Sequence, residues 1–175
     1  MSDIRGYTAI AEAAEPTQLA AQLNEHRQAM NEAVLAHGGT VMQYVGDAVM
    51  AVFGAPEPLD GHQERALAAA ARMHASQDAL NAAWAGRGLR PFGLGIGVST
   101  GQVAAALLGS RERVEYTVVG DTVNLAARLC DAARPAGTTV ASAATISGSG
   151  TANEYEPLPP LQVKGRTATV IAYRR

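Results

Sequence analysis

Apolar residues recur at two spacings along the chain, and each spacing predicts its own kind of element. In residues 16–37 they return at steps of about four or seven, as on one face of an α-helix, and the Ala-rich segment 61–86 shows a similar face. Gly38 and Gly39 directly follow the first segment, and glycine is typical of the position after a helix end. We therefore predict two long helices, over 16–37 and 61–86.

Shorter apolar stretches bounded by glycines predict strands. Residues 40–54, "TVMQYVGDAVMAVFG", predict a hairpin whose two-residue turn is Gly46-Asp47. In residues 92–101, "FGLGIGVSTG", glycines alternate with larger residues, so one face of this strand is bare and admits close approach of another element. The remaining predicted elements are strands over 102–109, 114–120 and 138–142, a strand pair around 161–173, and a helix over 121–133 with Asp121 as its N-cap.

Helices and paired strands therefore alternate along the chain. The order is helix, hairpin, helix, hairpin, helix and strands, with neither an internal repeat nor a linker, and a chain of 175 residues fits one domain. This order predicts a single domain, residues 1–175, of the α+β class. We expect a ferredoxin-like or palm-type sandwich with helices on a mainly antiparallel sheet.

The first strand of such a sheet is not apparent in the sequence. "SDIRG", residues 2–6, looks like the loop between a strand and a helix, yet only Met1 and Ser2 precede Asp3. We expect a truncated fold in which this N-terminal strand is missing, and a longer natural chain that encodes about five to seven apolar residues upstream. A gap in a central sheet position is costly because buried backbone groups need hydrogen-bond partners.

Composition and charge narrow the classes of function. With 47% hydrophobic and 17% charged residues the chain is globular, and its formal net charge of −2 argues against long nucleic acid as a partner. The one cysteine, Cys130, cannot form an internal disulfide bond. No signal peptide and no apolar run of membrane length occurs. We therefore expect a cytoplasmic domain without a membrane span.

Two aspartates stand at the ends of apolar elements. Asp3 and Asp47 could each be a solvated turn carboxylate, but a ferredoxin-like sheet brings their two loops side by side. Paired carboxylates then form a hard-oxygen site that suits Mg²⁺ or Mn²⁺, which complete their shells with water and phosphate. "IRGYT" adds the backbone amides of Gly6, Tyr7 and Thr8 at a helix start, where phosphate groups bind readily.

A second candidate group lies in "EYTVVGDTVNLAARL", residues 115–129. Asn124 and Arg128 are four residues apart, so they share one face of the predicted helix. They either form a solvent-facing polar stripe or direct an amide and a guanidinium at a ribose and a phosphate. Lys164, in "QVKGRT", is either a turn residue or a clamp on the β- and γ-phosphates.

Together these motifs resemble the class III adenylate/guanylate cyclase catalytic domain. "SDIRGYT", "GGTVMQYVGDAVMAVFGAP", "EYTVVGDTVNLAARL" and "VKG" occur in the order and at the spacings of that family, over nearly the whole chain. The resemblance implies a head-to-tail homodimer with active sites at the interface. It also implies two metal ions per site, Mg²⁺ or Mn²⁺, held by Asp3 and Asp47 with help from the Ile4 carbonyl.

The resemblance assigns the rest of each site to the second subunit. Thr117 would contact the purine, Asn124 the ribose, Arg128 the transition state and Lys164 the triphosphate. The 3′-hydroxyl of ATP or GTP would then attack the α-phosphate in line, and pyrophosphate would leave.

Gln43 departs from the family pattern at the position that reads the purine. Adenylate cyclases of the family usually carry lysine there, and guanylate cyclases usually carry glutamate. A glutamine amide both donates and accepts hydrogen bonds, so it can serve adenine or guanine. Threonine at the position of Thr117 is usual in the bacterial adenylate cyclases that the chain resembles. The resemblance therefore implies ATP as the first substrate, with GTP accepted as well.

The sequence allows two other interpretations. The chain could be a catalytically silent nucleotide-binding or dimerisation module that regulates a partner, although it keeps the metal carboxylates and the Asn124/Arg128 pair that such proteins normally lose. It could also be a relative of palm-type polymerases or diguanylate cyclases, but it lacks a GG-D/E-E-F run and a basic face. No sensor region is present, so regulatory input would come from flanking sequence or from partners.

Overall fold

The computed structural model describes residues 1–110, 112, 114–162 and 169–175. In this part of the chain the helices are α1 (Tyr7–Ala13), α2 (Pro16–Ala36), α3 (His62–Ala85), α4 (Asp121–Ala132) and α5 (Ala143–Ser147). The strands are β1 (Ser2–Arg5), β2 (Thr40–Val45), β3 (Ala48–Val52), β4 (Gly93–Val98), β5 (Ala104–Gly109), β6 (Val114–Val119), β7 (Thr138–Ser142), β8 (Glu156–Pro157) and β9 (Ala172–Arg174).

The main sheet is mixed but mostly antiparallel. Its strands run in the order β2-β3-β1-β4-β7-β9-β8, and the β4–β7 pair is parallel while the other pairs are antiparallel. Strands β5 and β6 form a separate antiparallel ribbon. Helices and a mainly antiparallel sheet in one α+β fold confirm the predicted fold class.

Residues at the start of the chain form a strand, which corrects the expectation that they are a loop. Ser2–Arg5 is itself strand β1, and it lies between β3 and β4 near the centre of the sheet. It pairs with β4 along its four residues and with β3 at Ser2 and Val49. Asp3 therefore lies within a central strand and not in a loop after one. Alternating polar and apolar residues over only four positions gave too weak a pattern to predict it.

Helices cover both faces of the sheet. Ile96 of β4 belongs to the apolar core that the sheet forms with α2 and α3. Gly97, the next residue, faces α4, and a Cβ atom there would overlap backbone atoms of that helix. The bare glycine face predicted for this strand thus admits the close approach of α4.

Short elements account for most other differences from the predictions. Helix α5 and strand β8 were not predicted, because five and two residues are too few to show a periodic pattern. Gly120, not Asp121, is the N-cap of α4, and Asp121 is its first residue. Of the predicted C-terminal strand pair, β9 and a single bridge between Leu161 and Val170 are present, while 163–168 are outside the described residues.

Candidate active site

The two aspartates predicted to bind a cation lie together in the structure. Asp3 is in β1, and Asp47 is in the turn between β2 and β3. The backbone N–H of Ile4 donates a hydrogen bond to Oδ2 of Asp47, with an N···O distance of 3.0 Å. This bond fastens the hairpin turn to β1 at the residue next to Asp3.

The closeness of the carboxylates shows in the electrostatics of Asp3. Burial, and then the hydrogen bond and negative charge of Asp47, raise the pKa of Asp3 to about 6, while Arg5 acts in the opposite direction. The Asp3 side chain remains 35% exposed, so a ligand can reach it. Two adjacent carboxylates repel each other, and a cation relieves that repulsion.

The donor set therefore fits a hard divalent cation. It consists of carboxylate oxygens and the Ile4 backbone carbonyl, the type of ligand that Mg²⁺ and Mn²⁺ prefer. Among the described residues no cluster of three or more His, Cys, Asp or Glu side chains could hold a metal ion. A cation at Asp3 and Asp47 would thus need oxygen ligands from water or substrate phosphates, as is usual for Mg²⁺.

The turn that contains Asp47 is stabilised by the conformation of Gly46 and by contacts from Arg27. Gly46 has φ of 62°, and Asp47 does not have a positive φ, a combination that matches the glycine-first type II′ hairpin turn. The Gly-Asp order therefore satisfies the turn and also places the carboxylate. Arg27 of α2 donates to the Gly46 carbonyl at 2.6 Å, and its guanidinium carbon lies 4.9 Å from the centre of the Tyr44 ring. No sequence motif pointed to Arg27.

The predicted phosphate-binding residues begin helix α1. Gly6 is the N-cap with φ of 73°, Tyr7 is half-buried, and Thr8 is exposed. Tyr7 packs against the apolar cluster that contains Ile4. The structure thus places these residues directly after Asp3, while their contact with phosphate remains a prediction.

Gln43 and Thr117, predicted to read the purine, lie on neighbouring strands. The β2–β3 register shifts between Val41 and Gln43, so β2 contains a bulge at Met42. Bulges of this kind redirect the side chains that follow, and Gln43 is exposed. Thr117 is half-buried in β6, which also contacts β2.

Asn124 and Arg128 lie on the exposed face of α4, as their spacing predicted. The opposite face buries Leu125 and Leu129 in the core. Arg128 is 47% exposed and forms an ion pair of 3.7 Å with Asp131, one turn along the same helix. The structure does not show Arg128 paired with Asp3 or Asp47. Lys164 lies outside the described residues, so its role stays a prediction.

A cavity of about 500 Å³ lies elsewhere in the fold. It runs along β3 and β4 between α3 and the first turns of α4, it also touches Ser2 of β1, and its lining is mainly apolar. Among the described residues that line it, none is a predicted site residue. This cavity therefore does not compete with the Asp3–Asp47 cluster as the place for phosphate chemistry.

Comparison with known proteins decides the family. The sequence profile described as "Adenylate and Guanylate cyclase catalytic domain" matches residues 1–173. The chain belongs to this family. The cyclase domain is 35% identical to adenylate cyclase 1 of Rhizobium meliloti (strain 1021) over 173 residues, which are 98% of the chain and 26% of that protein. It is 38% identical to the adenylate cyclase of Anabaena cylindrica over 131 residues, 73% of the chain and 25% of that protein.

Solved structures show the same likeness. The crystal structure of the guanylyl cyclase Cya2 matches with a TM-score of 0.91 at 31% identity, covering 99% of this chain and 87% of that one. The adenylyl cyclase CyaB from P. aeruginosa matches with a TM-score of 0.88 at 32% identity, covering 99% and 89%. Relatives of both substrate classes are thus similarly close.

The cyclase domain spans about a quarter of the length of the curated relatives that it matches. In the part of the chain that the structure describes, every helix is too short or too polar to cross a membrane.

Proposed function

We propose that this domain is a nucleotide cyclase that converts ATP to 3′,5′-cyclic AMP and pyrophosphate, with GTP as a poorer second substrate. The observation that carries the proposal is the pairing of Asp3 with Asp47 at one end of the central sheet, fixed by the Ile4 N–H. Family membership supports the reaction type.

Asp3, Asp47 and the Ile4 carbonyl would hold two divalent cations, Mg²⁺ or Mn²⁺, per site. When bound, these cations neutralise charge on the triphosphate and lower the pKa of the attacking 3′-hydroxyl. The amides of Gly6 and Thr8 at the start of α1 would take the phosphate oxygens. The chain's own contribution here is to keep two carboxylates and a carbonyl close together before substrate arrives.

A second copy of the chain would complete each site. Its Gln43 and Thr117 would contact the purine, its Asn124 the ribose, and its Lys164 the triphosphate. Its Arg128 would stabilise the negative charge that builds on the α-phosphate, because a guanidinium is planar and permanently charged. In the reaction a bond forms between O3′ and the α-phosphorus, and the bond from that phosphorus to the bridging oxygen breaks. The hydroxyl proton passes to solvent, and the electron pair leaves with pyrophosphate.

Exposed apolar residues support a homodimer. The β5–β6 ribbon exposes large apolar side chains, namely Leu107, Leu108, Val114, Tyr116 and Val119. Tyr44 and Val45 near the hairpin tip are exposed as well. Exposed apolar surface of this extent is typical of protein–protein interfaces. Asn124 and Arg128 also face outward, which is the placement needed to reach a site on another subunit.

The direct test is production of cyclic nucleotide by the purified protein. We expect cyclic AMP from ATP with Mn²⁺ or Mg²⁺, and a smaller amount of cyclic GMP from GTP. Binding of a non-cyclisable ATP analogue without any product from either nucleotide would contradict the proposal and favour a silent regulatory module.

Mixed dimers test the sharing of sites between subunits. Asp47→Ala and Arg128→Ala should each inactivate the homodimer. A mixture of the two variants should regain part of the activity, because one site of a mixed dimer combines intact carboxylates with an intact α4. Absence of recovery, with mixed dimers demonstrated by mass spectrometry, would refute shared sites.

Gln43 provides a test of purine choice. Because glutamine can donate or accept, we expect the wild-type kcat/KM for ATP to exceed that for GTP by only about 10- to 100-fold. Gln43→Lys should increase this ratio, chiefly by lowering GTP use. The measurement is kcat/KM for both nucleotides in both proteins. An unchanged ratio would show that Gln43 does not read the base.

A further inference from the structure

Arg5 is a buried cation that the site described above does not use. It lies on β1 two residues after Asp3, so the two side chains share one face of the sheet. Its side chain is only 9% exposed. Burial of a guanidinium is unfavourable unless its charge is paired, and an apolar side chain of similar length would be less costly at this position.

The guanidinium bridges two elements. Nη1 donates to Oδ2 of Asp3 at 3.1 Å, while Nη2 donates to the backbone carbonyl of Cys130 and lies 3.6 Å from its sulfur. Cys130 is in the last turn of α4, and its carbonyl also accepts a hydrogen bond from the Ala133 N–H at 3.0 Å. The negative end of the helix dipole lies at this turn and attracts a cation. Arg5 therefore links Asp3, a proposed metal ligand, to the C-terminal end of α4.

The backbone of β4 is shaped to receive this side chain. Gly95 pairs with Asp3 across the β1–β4 ladder, and a Cβ atom at Gly95 would overlap the Arg5 guanidinium. Gly97, two residues on, lies directly beneath α4. The same glycine face thus holds both the guanidinium and the helix that it contacts.

The bridge formed by Arg5 connects two groups of proposed site residues. Asn124 and Arg128 lie on α4, so one guanidinium contacts both Asp3 and the helix that carries the other half of the site residues. In the head-to-tail dimer proposed above, on which this inference rests, these two halves belong to different active sites.

We propose that Arg5 is a positioning residue that fixes α4 against Asp3 and thereby couples the two active sites of the dimer. Loss of its contact with Cys130 would let the end of α4 shift, and with it the Arg128 guanidinium of the neighbouring site. A misplacement of about 1 Å at a catalytic group can lower the rate by about 100-fold. Loss of its contact with Asp3 would remove a cation that competes with the metal ions for that carboxylate.

The test places Arg5→Met in one chain of a mixed dimer that has a single working site. One chain carries Asp47→Ala and supplies only α4, while the other carries Arg128→Ala and supplies only the carboxylates. In the α4-supplying chain, Arg5→Met should lower kcat about tenfold and leave the half-saturating Mn²⁺ concentration unchanged. In the carboxylate-supplying chain, it should lower that Mn²⁺ concentration about fivefold. If Arg5→Met has an effect in only one of the two chains, or in neither, the proposal that Arg5 couples the two sites is wrong.

A conservative variant and a matched control sharpen the result. Arg5→Lys keeps a cation but lacks the fork that spans two acceptors, so it should lower kcat in the first placement and leave the Mn²⁺ requirement as in the wild type in the second. A Mn²⁺ shift from Arg5→Lys equal to that from Arg5→Met would contradict the charge argument. Arg87→Met removes an exposed ion pair with Glu25 and should change neither quantity.

Hydrogen–deuterium exchange tests the same contact without any turnover, so its result is separate from the success of the proposed function. In the Arg5→Met homodimer, the amides of residues 129–133 should exchange about tenfold faster than in the wild type, while those of α2 stay unchanged. Unchanged exchange at 129–133 would show that Arg5 does not hold the end of α4.

Discussion

The Asp3 end of the sheet and the β5–β6 ribbon are built in opposite ways. At the Asp3 end, the Ile4 N–H donates a hydrogen bond to Asp47, and Arg5 donates one to Asp3. Arg27 donates a further hydrogen bond to the turn that contains Asp47. The ribbon exposes large apolar side chains, and Leu107 is 69% exposed. One region is thus organised within the chain, whereas the other presents surface suited to a second protein. This difference is the physical basis for proposing that one copy holds the cations and another copy completes the site.

The largest expected effect comes from breaking the organised region. Asp47→Asn keeps the size of the side chain and a hydrogen-bond acceptor for Ile4, but it removes the charge that a divalent cation needs. We expect cyclase activity to fall to background while the dimer stays intact by size-exclusion chromatography. Asp60→Asn, in the exposed loop before α3, is the matched control and should keep activity. Near-normal turnover of Asp47→Asn with Mn²⁺ would contradict the assignment of the metal site.

Arg128→Ala tests the outward-facing half of the site. The guanidinium acts when negative charge builds on the phosphate, so kcat should fall about 10²-fold while KM changes little. Steady-state kinetics with ATP separates the two constants. A change confined to KM would make Arg128 a residue that binds the ground state.

Leu107→Glu tests the ribbon as an interface. A charge buried there without a partner should raise the dimer dissociation constant by about 10²-fold and make specific activity depend on protein concentration. Analytical ultracentrifugation measures the first effect, and a dilution series measures the second. Leu35→Glu, at a 56% exposed apolar residue on α2, is the control and should leave the dimer unchanged. Equal effects of both variants would show that the ribbon is not the interface.

The smallest effect concerns the stability of the helical layer beside the organised region. Burial, and to a lesser degree the charge of Arg27, lower the pKa of His26, although its hydrogen bond to Gln77 at 2.6 Å opposes them. The folded state therefore prefers neutral His26, while the unfolded chain takes up a proton near its ordinary pKa of about 6.5. The contribution of neutral His26 to the free energy of unfolding should be complete above that pH. The free energy of unfolding should decrease as the pH falls below it.

Urea unfolding at several pH values checks this prediction. His26→Gln keeps a polar side chain near Gln77 but cannot titrate, so its stability should decline less between pH 7 and pH 5. A parallel decline in the two proteins would show that other groups control acid stability.

Much of the fold could be predicted from local patterns in the sequence. The helical spacing of apolar residues predicted α2 and α3 to within a residue of their observed ends, because each helix is long enough to repeat its buried face. The helix predicted over 121–133 is α4, which ends one residue earlier. The hairpin and the bare face of β4 also followed from short-range signals, since turn and glycine chemistry act within a few residues. The order of the motifs likewise predicted the cyclase family.

Contacts between distant segments were decided only by the tertiary structure. Four residues were too few to reveal β1 as a strand, and its place depends on pairing with β3 and β4 from elsewhere in the chain. The bridge from Arg5 to Cys130 spans 125 residues, and no local pattern could contain it. The sequence determined which carboxylates, amides and guanidinium groups the chain carries. Backbone pairing and close packing on glycine determined which of them meet, because hydrogen-bond geometry and steric fit depend on segments that are far apart in sequence.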